Sequence, residues 1–195
     1  MPNYRAPVED LGFVLAELID LEQIAEMPGY EDATPDLVQA VLRAAGKFAS
    51  EVLAPLNRAG DQQAPVLSAG IVTTLEGWKD AYQQFTEAGW TSLIFDPAFG
   101  GQGLPRVVGG AVQEMWDASN MSFGLCPLLT QSASEAIWQC GSDEQKRVYL
   151  SKLVSGEWAG TMNLTEPQAG SDVGALRTIA KKEKDGTYNI TGQKI

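Results

Sequence analysis

The sequence predicts a mainly α fold, with an N-terminal domain of about six helices followed by the start of an antiparallel β-domain. Two observations carry this. Apolar residues recur at helical spacing as far as Val154. After Trp158 the period shortens toward two, and Asp185-Gly186 marks a hairpin between two runs that read as strands. The division falls at 157/158, with residues 1–157 all-helical and 158–195 an incomplete middle β-domain.

Taken in order, Asp10 to Glu26 carries Leu11, Val14, Leu15, Leu18 and Ala25 at helical spacing and stops at Met27-Pro28-Gly29. Thr34 caps the next helix, Pro35 fits its first turn, and Asp36 suits its positive end. Its stripe runs from Leu37 through Val41, Ala45 and Phe48 to Val52, and Pro55 follows its end. Residues 56–70, rich in Asn, Asp, Gln, Gly and Pro, read as a surface loop. Leu75, Trp78, Tyr82 and Phe85 mark a third helix, closed by Gly89. "FDPAFGGQGLP", Phe95 to Pro105, is a loop whose glycines supply positive-φ turns or a close backbone approach. Pro105 opens a fourth helix through Val108, Val112, Met115 and Trp116, and Leu125 to Cys140 reads as a fifth. Ser142 with Gln145 makes a capping box for a sixth, which stops at Gly156. Trp158 to Leu164, Leu176 to Lys182 and Tyr188 to Thr191 then read as strands. Three short strands without further partners make a poor sheet, so the sequence reads as the N-terminal part of something longer.

The composition narrows the function. A net charge of −11 with a pI near 4.4 argues against nucleic acid and against anionic lipid. No apolar run approaches the roughly 20 residues of a membrane span, and the N-terminus lacks the shape of a signal peptide. Cys126 and Cys140 are too few for a disulfide scaffold and read as buried thiols in a reducing cytoplasm, which makes the expected location cytoplasmic. Histidine is absent. That removes imidazole acid–base catalysis and almost every zinc site, and no metal ligand set is expected. Chemistry falls to carboxylates, hydroxyls, backbone groups or a borrowed cofactor.

One stretch is too patterned for a slack linker: "LTEPQAGSDVG", Leu164 to Gly174, joining two expected strands. Pro167 stiffens it, and Gly170 and Gly174 free its backbone to turn. The N–H groups around Gly170, Ser171 and Asp172 suit a concave anion site, and Thr165 and Ser171 add hydroxyls. The residues alone leave a second reading open, and favour it: a connection in which Ser171 and Asp172 bond their own backbone.

"MNLTEPQAGSDVGALRTIA" resembles the signature loop of the acyl-CoA dehydrogenase family of flavoenzymes, with the T-E-P-x-A-G-S-D core intact from Thr165 to Asp172. "FGGQGLP", the helix-to-sheet run from Gly141 to Pro167, and "DGTYNITGQKI" resemble the family in the same order. The leading helix from Tyr4 to Leu18 resembles a longer subgroup of that family. The resemblance implies FAD as cofactor and an acyl-CoA substrate that loses an α-proton to a carboxylate and a β-hydride to the flavin. It implies cofactor contacts at Met162, Asn163, Leu164, Thr165, Gly170 and Ser171, and substrate contacts at Ser171 and Thr130. Glu166 is expected to fix the loop rather than to act as the base. Met115, Leu128, Leu129 and Thr130 are candidates for an acyl pocket, with ordinary helix core the simpler reading of each. The family's base lies in a C-terminal domain, so no catalytic residue is assigned here, and 195 residues alone are expected to be inactive. The resemblance also implies an electron-transfer flavoprotein as acceptor and a homo-oligomer at full length. Two alternatives remain at this level: a non-catalytic interaction module completed by a second chain, and an acyl-CoA oxidase-type relative.

Overall fold

The computed structural model describes residues 4–195, which divide into two compact units, one ending at Gly160 and the other Thr161–Ile195. The first unit is helical. Its opening helix is interrupted where a single run was expected. α1 (Val8–Phe13) widens into a π-turn over Val14–Leu18, and α2 (Leu21–Ala25) begins anew. Asp20 is the cause: it takes a left-handed φ of 58°, and its carboxylate accepts from the Gln23 N–H at 3.2 Å. α3 (Pro35–Phe48) starts as the sequence indicates, with the Thr34 hydroxyl accepting from the Leu37 N–H and Pro35 in the first turn.

The expected loop over 56–70 is a correction. The helix widens to a π-turn at Ala49–Leu53 and continues as α4 (Ala54–Gln62), with Pro55 in its first turn. A proline there loses no needed N–H bond, so it opens the segment instead of ending it. A hairpin follows, β1 (Val66–Ser68) against β2 (Ile71–Thr73). Ala69 and Gly70 both have positive φ, the conformation a two-residue hairpin turn requires.

α5 (Trp78–Glu87) leads into the glycine loop. That loop is tight: the Gly101 N–H reaches the Asp96 carbonyl at 3.0 Å, and a Cβ on Gly101 would fall 1.8 Å from the Phe95 carbonyl oxygen. α6 spans Arg106–Cys140 but is two helices in substance, broken at Asn120, whose φ of −159° and ψ of 86° are non-helical. The fully buried Asn120 side chain accepts from the Phe123 N–H at 3.1 Å and donates to the Leu53 carbonyl at 3.1 Å. It therefore caps the second half and ties it to the segment before α4. The second helix starts there, not at Leu125 as expected. α7 (Asp143–Gln145) opens on the predicted Ser142–Gln145 capping box and runs through a wide turn into α8 (Ser151–Val154).

These helices close over one apolar core. Phe85 lies fully buried within it, its ring edge-on to Trp116 at 4.7 Å and to Phe123 at 5.5 Å. Leu42, Leu53, Val108, Val112 and Met115 fill the space around it. Each such side chain, once buried, contributes roughly 1.5–3 kcal/mol. Cys126 and Cys140 are exposed, not buried; both sit on outward positions of α6. No helix among the described residues is long and apolar enough to cross a membrane.

The second unit has a single two-stranded ladder, β3 (Ile179–Lys182) against β4 (Tyr188–Thr191), with Asp185 and Gly186 in the turn. Every residue of both strands is exposed. The strand expected at Trp158 to Leu164 is not formed. Trp158 instead folds back, its N–H on the Lys152 carbonyl at 3.0 Å and its ring under the Lys152 ammonium. β3 begins later than the sequence suggests because the Arg177 and Thr178 N–H groups are committed elsewhere.

Candidate functional site

The Arg177 and Thr178 N–H groups go to Glu166. In a unit that buries little besides Ala169, Glu166 is 3% exposed. Its carboxylate accepts from the Arg177 N–H at 2.8 Å, the Thr178 N–H at 3.0 Å, the Gln168 amide at 2.7 Å and the Lys194 ammonium at 2.9 Å. A buried carboxylate needs such partners, because leaving water without them is strongly unfavourable. Its surroundings hold it well below the usual carboxylate range, the adjacent Thr178 side chain contributing most and the Arg177 N–H and Lys194 next. The backbone of Glu166 is fixed too, exchanging two N–H···O bonds with Ala169 at 2.9 and 3.0 Å around Pro167.

Around this hub the loop presents its remaining groups outward. Met162, Asn163, Leu164, Thr165, Gly170 and Ser171 lie on one short segment and are all exposed. Met162 and Leu164 offer apolar surface, Thr165 and Ser171 hydroxyls. Among the described residues, the Gly170 and Ser171 N–H groups donate to no acceptor in the chain. Asp172 does bond its own backbone, accepting from the Gly174 N–H at 3.1 Å. The glycines serve differently from the expectation: neither Gly170 nor Gly174 has a left-handed φ. A Cβ on Gly170 would meet nothing within 4 Å, so that residue borders open space and leaves its backbone approachable.

Thr130 belongs to the helical unit. It is buried, its hydroxyl donating to the Cys126 carbonyl at 3.2 Å and accepting from the Gly160 N–H at 3.1 Å. Met115 is buried in the core, whereas Leu128 is exposed and Leu129 half-buried. Among the described residues no group of three or more acidic or cysteine side chains is placed to hold a metal. Reading the sequence missed Lys194, Arg177 and Thr178 as partners of Glu166. Nothing in sequence marks a lysine 28 residues away as the partner of one carboxylate.

A family model for the acyl-CoA dehydrogenase N-terminal domain matches residues 36–157. This chain belongs to the acyl-CoA dehydrogenase family. It is 47% identical over 193 residues to the 3-methylmercaptopropionyl-CoA dehydrogenase of Ruegeria pomeroyi, an alignment covering 99% of this chain and 33% of that protein. It is 34% identical to a butyryl-CoA dehydrogenase of Syntrophomonas wolfei, over 98% of this chain and 32% of the relative. Among solved structures, butyryl-CoA dehydrogenase from Megasphaera elsdenii superposes with a TM-score of 0.69 at 28% identity, covering 82% of this chain and 40% of that one. The acyl-CoA dehydrogenase sequence in hand thus spans about a third of the length of the curated relatives it matches.

Proposed function

We propose that this chain is the N-terminal part of an FAD-dependent acyl-CoA dehydrogenase and supplies one wall of the cofactor site. The observation that carries this is the Thr165–Asp172 loop, locked from inside by Glu166 while its ligand-facing groups stay open. The division at 157/158 into an N-terminal domain and a β-domain is part of the same reading, with the expected all-helical character of the first corrected by its β1–β2 hairpin.

The residues present fit FAD. Free N–H groups at Gly170 and Ser171 suit its pyrophosphate, exposed hydroxyls suit its polar edges, and the bare Gly170 lets backbone approach closely. Met162, Asn163, Leu164 and Thr165 would lie along the ring, Thr165 offering both backbone and hydroxyl. Ser171 would serve the pyrophosphate and the CoA portion of the substrate. Thr130 would act on the acyl side, with its hydroxyl at Gly160 setting where the chain leaves the helical unit. When bound, FAD supplies the hydride acceptor for oxidation of an acyl-CoA to its 2,3-enoyl-CoA. The α-proton goes to a carboxylate. Glu166 is unsuited to that task, since its four donors hold it ionised and a poor base. The base belongs to a later part of the family fold, as does most of the surface for a homo-oligomer. Electron-transfer flavoprotein is the proposed acceptor.

The test has two parts. The chain is incubated with FAD, freed of excess cofactor and examined for a retained flavin spectrum. Retention by the native chain supports the reading; a colourless protein from both this chain and a longer one containing it would overturn it. Gly170→Val should leave the helical circular dichroism and unfolding midpoint unchanged, because its side chain enters open space, while weakening flavin retention at least tenfold. Acyl-CoA-dependent dye reduction is expected of the longer chain and not of these 195 residues.

A further inference from the structure

We infer that Lys194 is the positioning residue of the cofactor loop, holding the backbone on both sides of Thr165 in the shape it presents. Its ammonium donates to the Leu164 carbonyl at 3.0 Å and to the Glu166 carboxylate at 2.9 Å. The residue between these two acceptors is Thr165, and the Thr165 carbonyl itself accepts from the Ile195 N–H at 2.9 Å. Three consecutive residues of the loop are therefore held by two consecutive residues, Lys194 and Ile195. An ordinary surface ion pair would join two flexible, solvated side chains and order nothing. Here the carboxylate is 2% exposed, the lysine side chain 29%, and one of the two acceptors is main chain.

The chemistry of the ammonium matters. It is a compact charge with donors pointing in three directions, so it can satisfy a carbonyl and a carboxylate oxygen that do not lie in one plane. A guanidinium presents a flat fork and meets that pair less well. Glu166 keeps three other donors without Lys194, so loss of the lysine leaves the hub seated and frees the Leu164 side of the loop. That side carries Leu164 and Thr165, the residues assigned above to the ring. The consequence for cofactor rests on that assignment; the clamp itself does not.

Lys194→Met keeps the stem and removes the charge. Residue-resolved hydrogen exchange on the whole chain should show the Ile195 amide, which donates to the Thr165 carbonyl, exchanging at least tenfold faster, with the Glu166 and Ala169 amides of the seated hub and those of the Phe85 core unchanged. Lys194→Arg should fall between native and Met. An unchanged Ile195 amide in Lys194→Met would overturn the clamp. Flavin affinity, read by fluorescence quenching, separates the two ideas. If native chain binds FAD, Lys194→Met should bind it about tenfold more weakly, and faster exchange with unchanged affinity would refute the positioning role. If the native chain and a longer one containing it both fail to bind FAD, the cofactor assignment fails, and the exchange result still decides whether Lys194 shapes the loop.

Discussion

The two units of this chain are held together by opposite means. The helical unit buries Trp116, Phe85, Leu42, Leu53 and Met115 almost completely, and polar side chains such as Thr34 and Ser142 serve it as helix caps. The second unit buries one alanine and one carboxylate, Ala169 and Glu166, and leaves both strands in water. An apolar core is non-directional and tolerates small displacements. A carboxylate with four donors fixes directions, and a loop that must present N–H and hydroxyl groups at set positions needs direction more than it needs buried area. Under the proposed function this difference matches the work of each unit, a scaffold in the first and a ligand-facing loop in the second.

Variants of falling severity sharpen this contrast. Trp116→Ala removes a side chain packed edge-on against Phe85 and Trp90. It should cost the helical unit about 3–5 kcal/mol, read from urea unfolding followed by helical circular dichroism. A loss under about 1 kcal/mol would mean the core is less tightly packed than its burial indicates. Gly160→Ala is the next largest. Its Cβ would lie 2.7 Å from the Ala133 Cβ and 3.3 Å from the Thr130 Cα, an overpacking expected to cost about 1–3 kcal/mol. Ala133→Gly in the same chain should recover part of that loss, which separates contact from backbone strain. Ser142→Ala removes half a capping box and should cost about 1 kcal/mol in the same assay.

The legibility of the sequence followed the same divide. Helix starts were readable wherever a local cap made them, as at Thr34 and Ser142. Two caps were overlooked: Asp20 breaks a helix that periodicity alone would continue, and Asn120 starts the second half of α6 earlier than the expected Leu125. Pro55 misled in the other direction, since a proline just inside a helix start looks the same in sequence as one just past an end. The cysteines misled for lack of a signal: composition says thiols are usually buried, and α6 turns both outward. In the second unit the loop was legible as a motif, and Glu166 as its structural member. Its partners were not, because Arg177, Thr178 and Lys194 act through contacts 11, 12 and 28 residues away, two of them by main-chain N–H that any residue carries.

The most direct test of this account is the titration of Glu166 itself, followed by carbon NMR of the side-chain carboxyl groups. Its folded-state pKa is depressed, so the order it gives the loop is fully present above the ordinary carboxylate pKa of about 4.3 and is lost only as pH falls through the lower folded value. The Glu166 carboxyl should therefore stay ionised while exposed glutamates protonate, and the Arg177 and Thr178 amide shifts should hold steady through that range. A Glu166 that protonates alongside the exposed glutamates, near 4.3, would contradict the buried hub and with it the claim that one carboxylate organises the Thr165–Asp172 loop.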